Sequence, residues 1–132
     1  MWISAHEVAA MNGDLSPCPD KPNCVSSASE DPRHRIAPLR YQGSGEEAFQ
    51  RLKRVILSLP RTRLIAEDSH CLYFEFRSRL FGFIDDVVFY RRDGDAQINV
   101  RSASRTGYWD FGVNRRRIEQ IRAAFDTLAG VP

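Results

Sequence analysis

The chain has 132 residues, a formal net charge of +2, and basic residues that are almost all arginine, with 17 arginines and two lysines. This length predicts one domain with a buried core, and so small a net charge excludes a bulk electrostatic preference for nucleic acids or membranes. No apolar run approaches the ~20 residues that a transmembrane helix requires.

The first 43 residues contain five prolines and no sustained periodicity. They predict an irregular segment, residues 1–43, that packs on an α+β domain formed by residues 44–130. The first ten residues lack the basic region and continuous apolar stretch of a signal peptide. We therefore expect a cytoplasmic protein, or a periplasmic one if a leader was removed before this sequence begins.

Two of the three cysteines, Cys18 and Cys24, lie in the proline-rich run Pro-Cys-Pro-Asp-Lys-Pro-Asn-Cys. Three interpretations are open: reduced structural thiols, a disulfide, or a metal or redox site. The paired Cys-x-x-Cys spacing of a typical zinc site is absent, so no metal site is predicted, and no cofactor either. We predict that residues 16–27 are ordered coil with the two cysteines close together, since prolines restrict the loop.

The first helix is predicted to begin at Ser44, which with Glu47 has the spacing of a capping box. Pro60 ends this helix, because proline cannot continue one. Between them, apolar residues spaced by three and four form one stripe: Phe49, Leu52, Ile56 and Leu59.

From Thr62 the apolar period changes to two, which predicts strands near Arg63–Glu67, around Leu72–Phe76, at Ile84–Arg91 and from Gln97 onward. The turn at Asp93-Gly94 indicates a hairpin. A second helical stripe runs from Asn114 to Leu128 and ends at Gly130. These elements predict an α+β fold, a two-layer sandwich with a four-stranded antiparallel sheet. The order is helix, four strands, helix, with both helices on one face and an irregular N-terminal wrap.

The stretch 101–117 gathers five arginines where a strand passes into a helix. By strand alternation Ser102 and Ser104 point inward, toward the start of the second helix, where Asn114 continues its stripe. Either these groups satisfy one another, or they line a polar pocket at a helix N-terminus, where free amides favour an anion.

Adjacent Asp85 and Asp86 must point to opposite faces of a strand, so they cannot share a proton as a dyad. Arg117 adjoins the apolar stripe of the second helix and is the best candidate to face inward. We predict that Arg101, Arg105 and Arg117 converge with one of the aspartates to form the functional pocket.

Three stretches of the chain resemble one family: Pro-Cys-Pro-Asp-Lys-Pro-Asn-Cys-Val-Ser-Ser, Phe-Gly-Phe-Ile-Asp-Asp-Val-Val-Phe, and the run from Arg101 to Ile118. Together they are similar to domain of unknown function family 1499, over about residues 15–128. The resemblance implies a widespread bacterial domain with plastid relatives, and it implies no particular reaction. It adds weight to one shared site formed by the motif residues. These are Cys18, Pro19, Asp20, Asn23, Cys24, Ser26, Asp85, Asp86, Arg101, Ser102, Ser104, Arg105, Gly107, Asp110, Gly112, Asn114, Arg115 and Arg117.

The favoured function is a non-catalytic binding or accessory domain whose arginine-rich pocket holds an anionic small molecule, a lipid headgroup or a partner's carboxylate. Its predicted ligand-binding residues are Arg101, Ser102, Ser104, Arg105, Asp110, Asn114 and Arg117.

Two alternatives remain open. The first is a small enzyme in which Asp85 or Asp86 is the general base, Arg101 or Arg105 the electrophilic partner and Tyr108 the acid. The second, less favoured, is nucleic-acid binding on an open sheet face, where Tyr73 stacks a base. A protein partner or a homodimer that uses this same face is a further expectation.

Overall fold

In the computed structural model of the protein, the described residues are 16–129, and they form six strands and two helices. They are β1 (Cys24–Ser26), β2 (Leu39–Arg40), α1 (Gly45–Leu57), β3 (Thr62–Glu67), β4 (Cys71–Arg77), β5 (Ile84–Arg91), β6 (Gln97–Ser104) and α2 (Val113–Ala129). Neither helix of this part of the chain is long and apolar enough to cross a membrane. The first 15 residues of the predicted N-terminal wrap, and the predicted helix end at Gly130, lie outside the described residues.

The strands form one open antiparallel sheet in the order β1-β6-β5-β4-β3, with β2 also paired to β6. The α+β class is therefore confirmed, and the four long strands are those that the period of two predicts. The predicted count of four was too low, because β1 and β2 come from the segment expected to be irregular. They pair along the same edge of β6, β1 at residues 101–103 and β2 at residues 97–98. Strands of three and two residues are too short to show a period.

The start of α1 follows from its sequence. Ser44 is the N-cap, with its Oγ accepting a hydrogen bond from the Glu47 amide at 3.2 Å. The helix ends at Leu57, before Pro60. The apolar stripes of α1 and α2 pack in one cluster with β-strand residues such as Phe74, Phe89 and Val100, all fully buried. We call the sheet face that carries these residues the inner face.

The opposite, outer face of the sheet is less open than expected. Tyr73, Val88 and Cys71 form a second buried cluster there, and Tyr73 is only 4% exposed. Tyr73 therefore has no free ring face on which to stack a base. The same burial removes it from any exposed dimer surface.

A disulfide joins Cys18 and Cys24, whose Cα atoms are 5.7 Å apart. Of the three interpretations of these cysteines, the disulfide is the one the structure shows. The predicted proximity of the two residues is confirmed, although residues 24–26 form a strand rather than coil.

The third cysteine, Cys71, is fully buried, and burial raises the pKa of its thiol to about 12. Since the thiolate is the reactive form, we expect the native oxidised protein to show no reactive thiol toward a disulfide dye at pH 8. Denaturation without reductant should expose one thiol, and denaturation with reductant should expose all three cysteines of the chain. One or more reactive thiols in the native protein would contradict either the burial or the disulfide.

Candidate functional site

The strand-to-helix junction contains a buried polar network on the inner face. Ser102 Oγ donates to Asn114 Oδ1 at 2.6 Å, and both residues are fully buried. Asn114 Nδ2 donates to Ser104 Oγ at 3.0 Å and to Asp110 Oδ2 at 2.8 Å. The inward direction predicted for these side chains is therefore correct. They satisfy one another's hydrogen bonds, and Ser104 and Asp110 also line the open cleft described below.

Asp110 occupies the N-terminus of α2. Its carboxylate accepts hydrogen bonds from the Gly112 amide at 2.8 Å and from the Asn114 amide at 3.0 Å. Phe111 and Gly112 both have left-handed backbone, with φ of 56° and 78°, and the bond from the Gly112 amide to Asp110, two residues earlier, makes this an Asx-turn. The protein's own anion thus takes the position expected for an anionic ligand.

Arg117 joins this network to the sheet. Its Nη2 lies 2.7 Å from Asp85 Oδ2, and its Nη1 donates to Asn114 Oδ1 at 2.9 Å. The side chains of Arg117 and Asp85 are 14% and 12% exposed, and the guanidinium lies 4.8 Å from the centre of the Phe76 ring. The pair is buried and neutral overall, so it offers little net positive potential to a ligand.

A second charged cluster lies on the outer face around Asp86. Arg105 donates to Asp86 Oδ1 at 2.6 Å and Oδ2 at 3.2 Å, and to Glu75 Oε2 at 2.9 Å. Tyr73 Oη also donates to Asp86 Oδ1, at 2.7 Å. Burial, with the adjacent Asp86 carboxylate, raises the pKa of Tyr73, while Asp86 and Glu75 raise the pKa of Arg105. A carboxylate with so many donors is poorly suited to act as a general base.

The three arginines predicted to converge do not meet. Arg117 pairs with Asp85 on the inner face, whereas Arg105 pairs with Asp86 on the outer face. Arg101 donates from Nη2 to the Pro17 carbonyl at 3.2 Å, and its buried Nε lacks a hydrogen-bond partner. Burial lowers the pKa of Arg101.

Asn23, next to the disulfide, ties the N-terminal segment to this junction. Its Nδ2 donates to the Gly107 carbonyl at 2.7 Å, and its own carbonyl accepts from the Ser104 amide at 2.9 Å and from Asn114 Nδ2 at 3.3 Å. Asn23 is 3% exposed. The disulfide loop therefore helps to hold the loop between β6 and α2, consistent with the motif residues from both segments lying together.

An aromatic cleft lies beside this junction, and the sequence did not predict it. The cleft encloses about 950 Å³ between the β4–β5 loop, the β6–α2 loop and the start of α2. Its exposed walls are two stacked pairs, Phe81 with Phe83 at 5.6 Å between ring centres and Trp109 with Phe111 at 4.6 Å. These four side chains are 57–75% exposed. We call them the aromatic rim. The signal available in the sequence was two short aromatic runs in loops, Leu80-Phe-Gly-Phe83 and Tyr108-Trp-Asp-Phe111.

Four exposed arginines flank the cleft: Arg61, Arg77, Arg79 and Arg116. Arg77 donates to the Gly82 carbonyl at 3.3 Å and Arg116 to the Phe111 carbonyl at 2.8 Å. None of the four pairs with a carboxylate of residues 16–129. The cleft lining contains five arginines and two aspartates, and both aspartates, Asp85 and Asp110, are already engaged within the protein. The formal charge of the residues that line the cleft is therefore positive.

The structure supplies little for the catalytic alternative. Tyr108 is 65% exposed and makes no hydrogen bond to either aspartate. No group of three His, Cys, Asp or Glu side chains in residues 16–129 is arranged to hold a metal ion.

The chain belongs to the family described as Protein of unknown function (DUF1499), since the model of that family matches residues 14–125. The match confirms the resemblance seen in the three sequence motifs, and it includes both loops of the aromatic cleft. No curated protein matches the chain.

Proposed function

We propose that this DUF1499 protein is a non-catalytic binding domain whose aromatic cleft takes an amphipathic anion. The class of function is the one that the sequence favours, and the site overlaps the predicted one in part. We place the ligand in the aromatic cleft, whose lining includes Ser104, Asp110 and Arg117, and not at the fully buried Ser102 and Asn114. The single observation that carries it is the cleft itself, with exposed aromatic walls and four arginines that have no carboxylate partner within residues 16–129.

The walls suit the apolar part of such a ligand. Trp109 and Phe111 form one wall, and Phe81 and Phe83 form another. A volume of about 950 Å³ is within the range of small-molecule sites. Contact with aromatic faces is favourable because it removes apolar surface from water on both partners. An alkyl chain or a flat apolar group would gain from this contact.

The arginines suit the anionic part. A guanidinium presents a fork of donors that matches a phosphate or a carboxylate. Arg77 and Arg116 each use one nitrogen to hold a loop carbonyl, which leaves their other donors for a ligand. By contrast, Arg105 and Arg117 are neutralised by carboxylates of the protein.

The test is a titration with decyl phosphate, below the concentration at which it forms micelles, followed by thermal unfolding. We expect ligand at ~100 times its dissociation constant to stabilise the native protein by about 2.7 kcal/mol. Inorganic phosphate and decanol should each stabilise the protein much less, because phosphate lacks the alkyl chain and decanol lacks the anionic group.

Two variants locate the binding. Trp109→Ala should weaken decyl phosphate binding about tenfold, through lost apolar contact. Arg116→Gln should also weaken it, whereas Arg40→Gln should not. Arg40 is also an exposed arginine, on β2, which pairs with the opposite end of β6. No stabilisation by decyl phosphate, or equal stabilisation of the native protein and both cleft variants, would refute the proposal.

A further inference from the structure

Two neighbouring loops present their largest apolar side chains to solvent. The loops lie at the same end of the sheet, since the Arg105 amide donates to the Ile84 carbonyl at 3.0 Å. Besides the aromatic rim, they carry Leu80, which is 83% exposed, and Tyr108, which is 65% exposed. Clustered apolar groups of this size on a surface mark a site of interaction.

The residue types on this surface favour one kind of partner, a lipid surface. Tryptophan and tyrosine are the side chains enriched at the interface between water and lipid, where the ring contacts acyl chains and its polar edge faces the headgroups. The two loops carry Trp109 and Tyr108 beside phenylalanines, whose rings supply apolar contact alone. The six large apolar side chains of the two loops are 57–83% exposed, so they can insert into a soft lipid surface without rearrangement of the fold.

The charge beside the tips is also specific. Arg61, Arg77, Arg79 and Arg116 all line the same cleft and have no carboxylate partner within residues 16–129. Two of them bond to the carbonyls of Gly82 and Phe111, inside the aromatic runs themselves. These hydrogen bonds therefore hold two of the arginines beside the exposed aromatic side chains. The net charge of the whole chain is only +2, so attraction to an anionic surface must come from this local cluster.

We infer that the loops at residues 78–83 and 105–112 dock the protein on an anionic lipid bilayer. The aromatic rim enters the interfacial layer, and the four arginines contact lipid phosphates. This surface goes beyond the proposed function, because a bilayer can be bound by the rim whether or not the cleft holds a ligand. Docking would also bring the mouth of the cleft to the lipid surface.

The test uses the protein with Trp2→Phe, so that Trp109 is the single tryptophan. It is mixed with vesicles of phosphatidylglycerol and phosphatidylcholine in equal parts, or of phosphatidylcholine alone. We expect cosedimentation with the anionic vesicles, a blue shift of Trp109 emission, and quenching by brominated lipid. Binding to phosphatidylcholine alone should be at least ~10-fold weaker, and added salt should weaken binding to the anionic vesicles.

Matched variants separate the two contributions. Arg79→Gln should lower partitioning about fivefold, the ratio expected for one basic residue at an anionic surface, while Arg40→Gln leaves it unchanged. Phe81→Ser should reduce binding more strongly. Leu128→Ser is its control, because Leu128 is an exposed apolar residue near the far end of α2.

The outcomes are distinguishable from those of the proposed function. Vesicle binding without an effect of decyl phosphate in solution supports docking and refutes the cleft proposal, and the reverse result refutes docking alone. Loss of vesicle binding in both Arg40→Gln and Arg79→Gln would mean nonspecific charge attraction and overturn the inference. A dimer in sedimentation experiments without lipid, which Phe81→Ser converts to a monomer, would assign the surface to a second copy and overturn it too.

Discussion

Replacing Arg117 with methionine is expected to lower the free energy of unfolding by about 3 kcal/mol, because the change leaves a buried carboxylate without its counter-ion. Asp85 is 12% exposed in its side chain, and Arg117 Nη2 is its partner at 2.7 Å. The same guanidinium also donates to Asn114 Oδ1 and to Ser102 Oγ, so two hydrogen bonds of the inner network are lost as well. Urea denaturation followed by circular dichroism measures the effect.

The neighbouring arginine is the control for this prediction. Arg116→Met changes the same residue type one position earlier in α2, where the side chain is exposed, so it should alter stability by no more than about 0.5 kcal/mol. The double variant Asp85→Asn/Arg117→Met should recover part of the loss, since it removes the unpaired charge. Equal stability of Arg117→Met and Arg116→Met would show that the Asp85 pair contributes nothing to the fold.

The inner network could be predicted because it depends only on the alternation of side chains along a strand and on the apolar stripe of a helix. Alternation along β6 directs Ser102 and Ser104 to one face, and the stripe of α2 directs Asn114 to the same place. The observed bonds of Asn114 to both serines follow from that geometry. The separation of Asp85 from Asp86 onto opposite faces was predictable for the same reason.

The same alternation shows why the predicted convergence of the arginines was wrong. Arg101 and Arg105 have the parity of the outer face, whereas Arg117 lies beside the inward stripe of α2. Their residue type suggested one cluster, but the sheet lies between them. Each guanidinium instead pairs with a carboxylate on its own face of the sheet, Arg105 with Asp86 and Arg117 with Asp85.

The aromatic cleft and the two short strands could not be predicted from the periodicity of apolar residues in the sequence. Exposure of Phe81, Phe83, Trp109 and Phe111 depends on what packs above their loops, which is a property of the tertiary structure. The pairing of β1 with β6 joins residues far apart in the chain, such as Cys24 and Ala103. A segment of three residues contains no pattern that would indicate such a partner.

Replacing Asn114 with leucine is expected to destabilise the protein by about 3 kcal/mol, at the upper end of the cost of leaving buried polar groups unpaired. Leucine has a similar volume, so packing changes little, but it can neither accept from Ser102 nor donate to Asp110 and the Asn23 carbonyl. Since Asn114 is fully buried, water cannot replace these bonds without opening the junction. The loss should appear as a lower urea midpoint with an unchanged slope.

A local readout distinguishes this role from a general loss of stability. Asn114 and Asn23 together hold the β6–α2 loop, so the leucine variant should be cut by protease within residues 105–112 under conditions where the native protein is not. Gln120→Leu, a change of an exposed polar residue to leucine in the same helix, should show neither effect. If Asn114→Leu unfolds at the same urea concentration as Gln120→Leu, the amide does not fix the start of α2. The cleft wall formed by Trp109 and Phe111 would then be positioned by the Asp110 cap and by the hydrogen bonds to the Gly107 and Phe111 carbonyls.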